Sequence, residues 1–135
     1  MFSVVLDYFK SYGIFDVIFN CTSRKIYWKD KDDNEEIIPF YDMETGGNKI
    51  IYPYYSVVKL IWDFIIREFG DAAYFRVCVN FNYIEIDVEH DINGKRYAIS
   101  KQFTMDKLNL YIGDLTDIEN YFIAEVKKQL QLVMK

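Results

Sequence analysis

Histidine and cysteine are scarce in this chain of 135 residues, with one of the first and two of the second. That scarcity argues against a zinc centre. A zinc centre wants four converging ligands, and His90 with two isolated cysteines does not supply them. Cys21 and Cys78 stand far apart, form no CxxC pair, and each falls in an expected strand or at its end. They read as free thiols in a reducing compartment. A chain of this length can bury roughly two-thirds of its unfolded surface, so it needs no disulfide or metal staple.

Long apolar runs are also missing. A membrane span needs about 18 apolar residues, and the longest run here, Tyr52 to Ile66, is broken by Lys59 and Asp63. The opening Met1 to Asp7 has no basic region and is interrupted by Asp7, so it does not read as a signal peptide. The sequon Asn20-Cys21-Thr22 then reads as a chance match. Positive charge is in the minority, with 16 Lys and Arg against 21 Asp and Glu, a net charge of −5. Direct nucleic-acid binding needs a basic face and is disfavoured. The expectation is a cytoplasmic protein that does not enter membranes.

Catalytic and cofactor motifs are absent too. Gly46-Gly47-Asn48-Lys49 lacks the Walker spacing and leads into an expected strand. The carboxylate–lysine pair Glu125-Val126-Lys127 falls on an expected helix rather than the strand a metal nuclease uses. His90 has no nucleophile-elbow context. Asp30, Asp32 and Asn34 match the first positions of a calcium loop, but Glu35 replaces its turn glycine and Tyr41 its bidentate Glu. No catalytic residue, cofactor or metal is assigned, and the balance is against an enzyme.

What the chain does have is aromatic bulk: 19% aromatic residues, with 12 Tyr and 11 Phe. It also has a clear β-pattern from Tyr74 to Thr104. Asn93-Gly94 is a strong hairpin signal, because a type I′ turn needs positive φ at both central residues. Placing it in the turn pairs Ile84 with Phe103, Val88 with Ile99 and His90 with Tyr97 on one face. Glu85 then meets Gln102, Asp87 meets Ser100 and Asp91 meets Arg96 on the other. Apolar and polar side chains separate, as a half-buried sheet requires. Lys101 is the exception, falling opposite Ile86 on the apolar face. Upstream, a turn at Phe81-Asn82 pairs Val79 with Ile84, Val77 with Ile86 and Phe75 with Val88, and sets Arg76 across from Asp87. A slip by one residue would set Val77 against Glu85.

Around this meander, Phe2, Val5, Leu6, Phe9 and Tyr12 lie on one helical face, and Gly13 stands where a cap is wanted. Strands are expected at Ile14 to Asn20, Lys25 to Lys29, Glu36 to Asp42 and Lys49 to Tyr52. Pro39 marks the third of these as an edge or bulge. Tyr54 to Phe69 reads as a helix apolar around most of its circumference, widened by Leu60, Phe64 and Ile66. Met105 to Gly113 reads as a polar linker. Thr116 and Glu119 have capping-box spacing before a C-terminal helix. No internal repeat is visible. The expected fold is one α+β domain over residues 1–135, an antiparallel sheet with two or three helices packed mainly on one face.

The functional reading is a non-enzymatic protein-binding module, in the class of small inhibitor, immunity or viral accessory proteins. Glu85, Asp87, Glu89 and Asp91 fall on one strand face, about 6.6 Å apart. With the loop Asp30, Asp32 and Asp33, and with Trp28, they are the candidate contacts for a basic or nucleic-acid-binding protein partner. Surplus Tyr and Trp, such as Tyr27, Trp28, Tyr41 and Tyr121, suit such an interface. The alternative is a small-ligand-binding or enzymatic domain with a cleft between sheet and helices near His90. A third reading is a homodimer joined through the edge of Lys25 to Lys29 or of the Pro39 strand.

Overall fold

The structure, a computed structural model, describes residues 1–13, 15–30, 32, 35–45, 55–111 and 115–134. In chain order the elements are α1 (Phe2–Tyr12), β1 (Phe15–Asn20), β2 (Lys25–Asp30), β3 (Glu35–Pro39), α2 (Phe40–Glu44), α3 (Tyr55–Phe69), β4 (Tyr74–Val79), β5 (Tyr83–Ile92), β6 (Lys95–Thr104), α4 (Met105–Leu110) and α5 (Thr116–Met134). The six strands form one antiparallel sheet in the order β3-β2-β1-β4-β5-β6. The fold is α+β, as the residue pattern indicates.

The β4–β5–β6 meander has the register that its side-chain alternation demands, with Ile84 opposite Phe103 and Val79, and Asp87 opposite Ser100 and Arg76. Asn93 (φ 53°) and Gly94 (φ 79°) carry the left-handed turn. Only glycine adopts that conformation without strain at Cβ, and asparagine tolerates it. Lys101 stays on the apolar face and reaches out of it, its Nζ 3.6 Å from Glu125 of α5.

The helices cover one face. Phe2 of α1 packs edge-on against Phe103 at 5.5 Å, Phe64 of α3 against Phe75 at 6.2 Å, and Phe122 of α5 against Phe103 at 6.4 Å. Val17, Phe19, Ile26, Phe75, Val77, Ile84, Ile86 and Val88 of that face are fully buried and form one apolar cluster with the helices. Glu119, at the start of α5, accepts a hydrogen bond from the Phe2 N–H at 2.9 Å and so ties α5 to the first turn of α1. None of the described helices is long and apolar enough to cross a membrane.

Three expectations need correction. The strand expected to run to Asp42 stops at Pro39, and Phe40–Glu44 turns as α2, because Phe40 and Met43, three apart, both go into the core. The expected linker after Thr104 begins with α4 for the same reason, burying Met105 and Leu108. Leu60 and Ile66 of α3 are exposed rather than covered. The strand expected at Lys49 to Tyr52 lies outside the described residues.

The structure also has a repeat that the residues conceal. A helix, a three-strand meander and a short helix occur twice, α1-β1-β2-β3-α2 and α3-β4-β5-β6-α4, and the sheet order is symmetric about the β1–β4 pair. The details agree. Asn20 Oδ1 accepts from the N–H groups of Thr22 and Ser23, as Asn80 Oδ1 accepts from those of Asn82 and Tyr83. The Phe40 N–H donates to the Arg24 carbonyl at 2.9 Å, as the Met105 N–H donates to the Asn82 carbonyl at 2.8 Å. Each pair of bonds folds an asparagine-led turn and docks the short helix that follows the third strand against it.

Replacing Asn20 or Asn80 with Ala is expected to cost about 1 kcal/mol each, since each side chain satisfies two turn N–H groups. Urea unfolding reads this out. Loss at one site with none at the other would show that the two turns are not equivalent in energy.

Candidate functional site

The second face of the sheet carries none of the described helices. Because strand side chains alternate, the pairings set transverse rows across it. One row runs Ile37, Tyr27, Ile18, Arg76, Asp87, Ser100, and the next Glu35, Lys29, Asp16, Cys78, Glu85, Gln102. A row spans five strand intervals, on the order of 24 Å. The first row is apolar from β3 to β1, the second is charged there, and both are acidic at β5.

Arg76 sits at the centre. Its Nε and Nη2 donate to Asp16 Oδ1 and Oδ2 at 2.9 and 2.7 Å, and its Nη1 donates to Glu85 Oε2 at 3.1 Å. Asp87 Oδ2 lies 3.5 Å away. The hydrogen bonds to Asp16 and the charge beside it hold the guanidinium well above its ordinary pKa. Farther along, Arg96 makes a two-pronged contact to Asp91 at 2.8 and 3.0 Å and lies 3.9 Å from Glu89. Gln102 Nε2 donates to Glu85 Oε1 at 2.7 Å. Asp16, Glu85, Asp87, Glu89 and Asp91 thus share two guanidiniums, and the surface keeps a negative excess. Beside it, Ile18, Tyr27 and Ile37, together with Asp16, Lys29, Glu35 and Glu36, line a hollow of about 460 Å³. The Ile37 side chain is 59% exposed.

The candidates fare differently. Glu85, Asp87, Glu89 and Asp91 lie together as expected, half-buried or exposed on the uncovered face. Asp32 is exposed in the β2–β3 loop, and β2 is three strands from β5 in the sheet order. It therefore does not join the row. Asp33 and the Asp30 side chain lie outside the described residues. Trp28 must be withdrawn as a contact: it points to the helical side, 2% exposed, with its ring edge-on to Tyr8 at 5.6 Å. Tyr27, its neighbour, faces outward in its place. Lys25 to Lys29 is not open to edge pairing, because β2 is paired on both sides; among the described strands β3, which ends at Pro39, and β6 are the outermost.

Asp16, Ile18 and Ile37 escaped sequence reasoning. Each is marked by alternation within its own strand, but their neighbours depend on the order of strands. Among the described residues no group of three or more His, Cys, Asp or Glu is placed to hold a metal ion. Cys21 and Cys78 are free, and burial pushes both thiols up, away from the nucleophilic thiolate.

His90 lies on the buried face at the end of β5. Its Nδ1 has no hydrogen-bond partner, and its Nε2 is 3.8 Å from Asp71 Oδ1. Desolvation lowers its pKa from the ordinary 6.5, against the opposing pull of Asp71 and Asp91. No protein family, curated protein or solved structure compared with the chain matches it.

Two outcomes follow. Replacing Arg76 with Met leaves three carboxylates together without their shared cation, an expected loss of about 2 kcal/mol given the half-buried setting. Denaturant unfolding measures it, and unchanged stability would show that the cluster is slack. For His90, the unfolded state binds a proton more readily than the folded one. Its contribution to stability is therefore full above pH about 6.5 and is lost as pH falls below that value. His90→Phe should flatten the decline in melting temperature on acidification, and a variant as acid-sensitive as the parent would assign that decline elsewhere.

Proposed function

We propose that the chain is a non-enzymatic protein-binding module that takes a basic partner on the uncovered face of its sheet. The observation that carries this is the row of carboxylates, Asp16, Glu85, Asp87, Glu89 and Asp91, held in place by two guanidiniums that do not neutralise them. Preformed acidic rows speed encounter with a basic surface and reject acidic ones. Their side chains are already ordered by the sheet and by Arg76, so little further entropy is lost on binding.

The apolar hollow of Ile18, Tyr27 and Ile37 supports the same reading. An interface needs a desolvated apolar centre with polar groups around it. Here the apolar and acidic zones meet along Asp16 and Arg76. A protein that itself binds nucleic acid carries the basic surface this face would match. Blocking such a surface is how a small inhibitor or immunity protein works, and that is the class we assign.

The test is affinity capture from a host lysate, comparing the parent chain with the double variant Asp87→Lys, Glu89→Lys. Capture of basic proteins that is lost in the variant, and lost from the parent at high salt, is the expected result. Each single reversal should weaken binding of a captured partner on the order of tenfold. Equal capture by parent and double variant, with no salt dependence, would dismiss the acidic face as the docking surface.

A further inference from the structure

A separate cavity lies on the helical side of the sheet, away from the acidic face. It has a volume of about 640 Å³ and sits among the β1–β2 turn, α2 and the C-terminal half of α3. Three aromatic rings wall it: Phe19, Phe40 and Trp62. Phe40 and Trp62 meet edge-on at 4.6 Å, and Trp62 lies 6.4 Å from Phe19.

The internal repeat says what this space lacks. Cys21 follows Asn20 as Phe81 follows Asn80, and both asparagines lead equivalent turns. Ile66 stands four residues before Gly70, which ends α3; Phe9 stands four before Gly13, which ends α1. Phe9 of α1 and Phe81 of the β4–β5 turn meet ring to ring, edge-on at 5.8 Å. The equivalent positions on the β1–β2 turn and α3 carry Cys21 and Ile66, and both line the cavity. With the smaller pair, the corner between the β1–β2 turn and α3 has neither of the two rings that meet between the β4–β5 turn and α1.

We propose that this cavity binds a small aromatic molecule, and one with a cationic rather than an anionic substituent. Its volume falls within the roughly 300–1,000 Å³ of small-molecule sites, and its mainly apolar walls with a few polar groups are typical of them. Its charged lining is Arg24, Glu44 and Asp71. Arg24 is already engaged by Glu44 and lies over the Phe40 ring at 5.5 Å. That leaves the Asp71 carboxylate, 94% exposed, to meet a cation. The aromatic walls favour a cation as well.

Three probes of one shape test this: 2-phenylethylamine, 2-phenylethanol and phenylacetate. The full chain with Trp28→Phe leaves Trp62 as its single indole, so Trp62 emission and the methyl NMR signals of Ile65 and Ile66 report on the cavity. Saturable changes in both are expected, with the amine bound at least about threefold more tightly than phenylacetate, the size of one exposed charge contact. Cys21→Phe should abolish them by placing a ring in the cavity itself. Ile66→Phe, at a position half open to water, narrows it from α3 without disturbing the core and leaves Trp62 and Ile65 as reporters, and Cys21→Ser should bind like the parent. No saturable change with any probe, tighter binding of phenylacetate, or binding that survives in both filled variants would overturn the proposal. None of these results bears on the acidic face.

Discussion

The antiparallel seam between β1 and β4 joins two units that would each be too thin alone. Each unit is a three-strand meander with one long helix, and a small sheet with a single covering helix leaves much of its apolar face wet. Pairing Phe15–Asn20 with Tyr74–Val79 sets Val17 beside Val77 and Phe19 beside Phe75. That turns two half-covered sheets into one six-stranded floor under α1, α3 and α5. The same seam brings Asp16 to Arg76 on the opposite face. Core and acidic surface therefore depend on one set of backbone hydrogen bonds.

The symmetry about that seam is one of backbone, and the two halves have diverged in what they carry. In the β4–β6 half β5 and β6 have ten residues each and β5 carries four carboxylates, where the first half has strands of five and six residues with Ile18, Tyr27 and Ile37 outward. At the turns, Phe9 and Phe81 meet at one corner, and the equivalent corner at Cys21 and Ile66 borders a cavity. One architecture thus presents an acidic zone, an apolar zone and an aromatic-walled cavity.

Much of this was legible from residues. The β4–β6 registers followed from alternation and from Asn93-Gly94, because a one-residue slip would bury Glu85. The helices α1, α3 and α5 followed from the 3.6-residue period. The short helices α2 and α4 did not, since two apolar residues three apart in five or six are too weak a pattern to separate from a strand end or a linker. Trp28 was misjudged as surface because aromatic residues suit an interface and a core equally; its partner Tyr8 lies in a helix distant in sequence. The repeat was hidden because backbone pairing and turn hydrogen bonds, rather than matching side chains, make the two halves alike.

Taken alone, the sequence determined the local periods, the hairpin registers, the excess of acid and the exclusion of a helical membrane span, since these depend on neighbours a few residues apart. Tertiary structure alone decided that β1 lies beside β4. With that pairing it decided that Asp16 reaches Arg76, that Tyr27 rather than Trp28 faces outward, and that Cys21 and Ile66 border one cavity. Those outcomes rest on contacts between segments up to about sixty residues apart. Strand order is chosen by how the whole apolar surface is best buried, and no single segment contains that information.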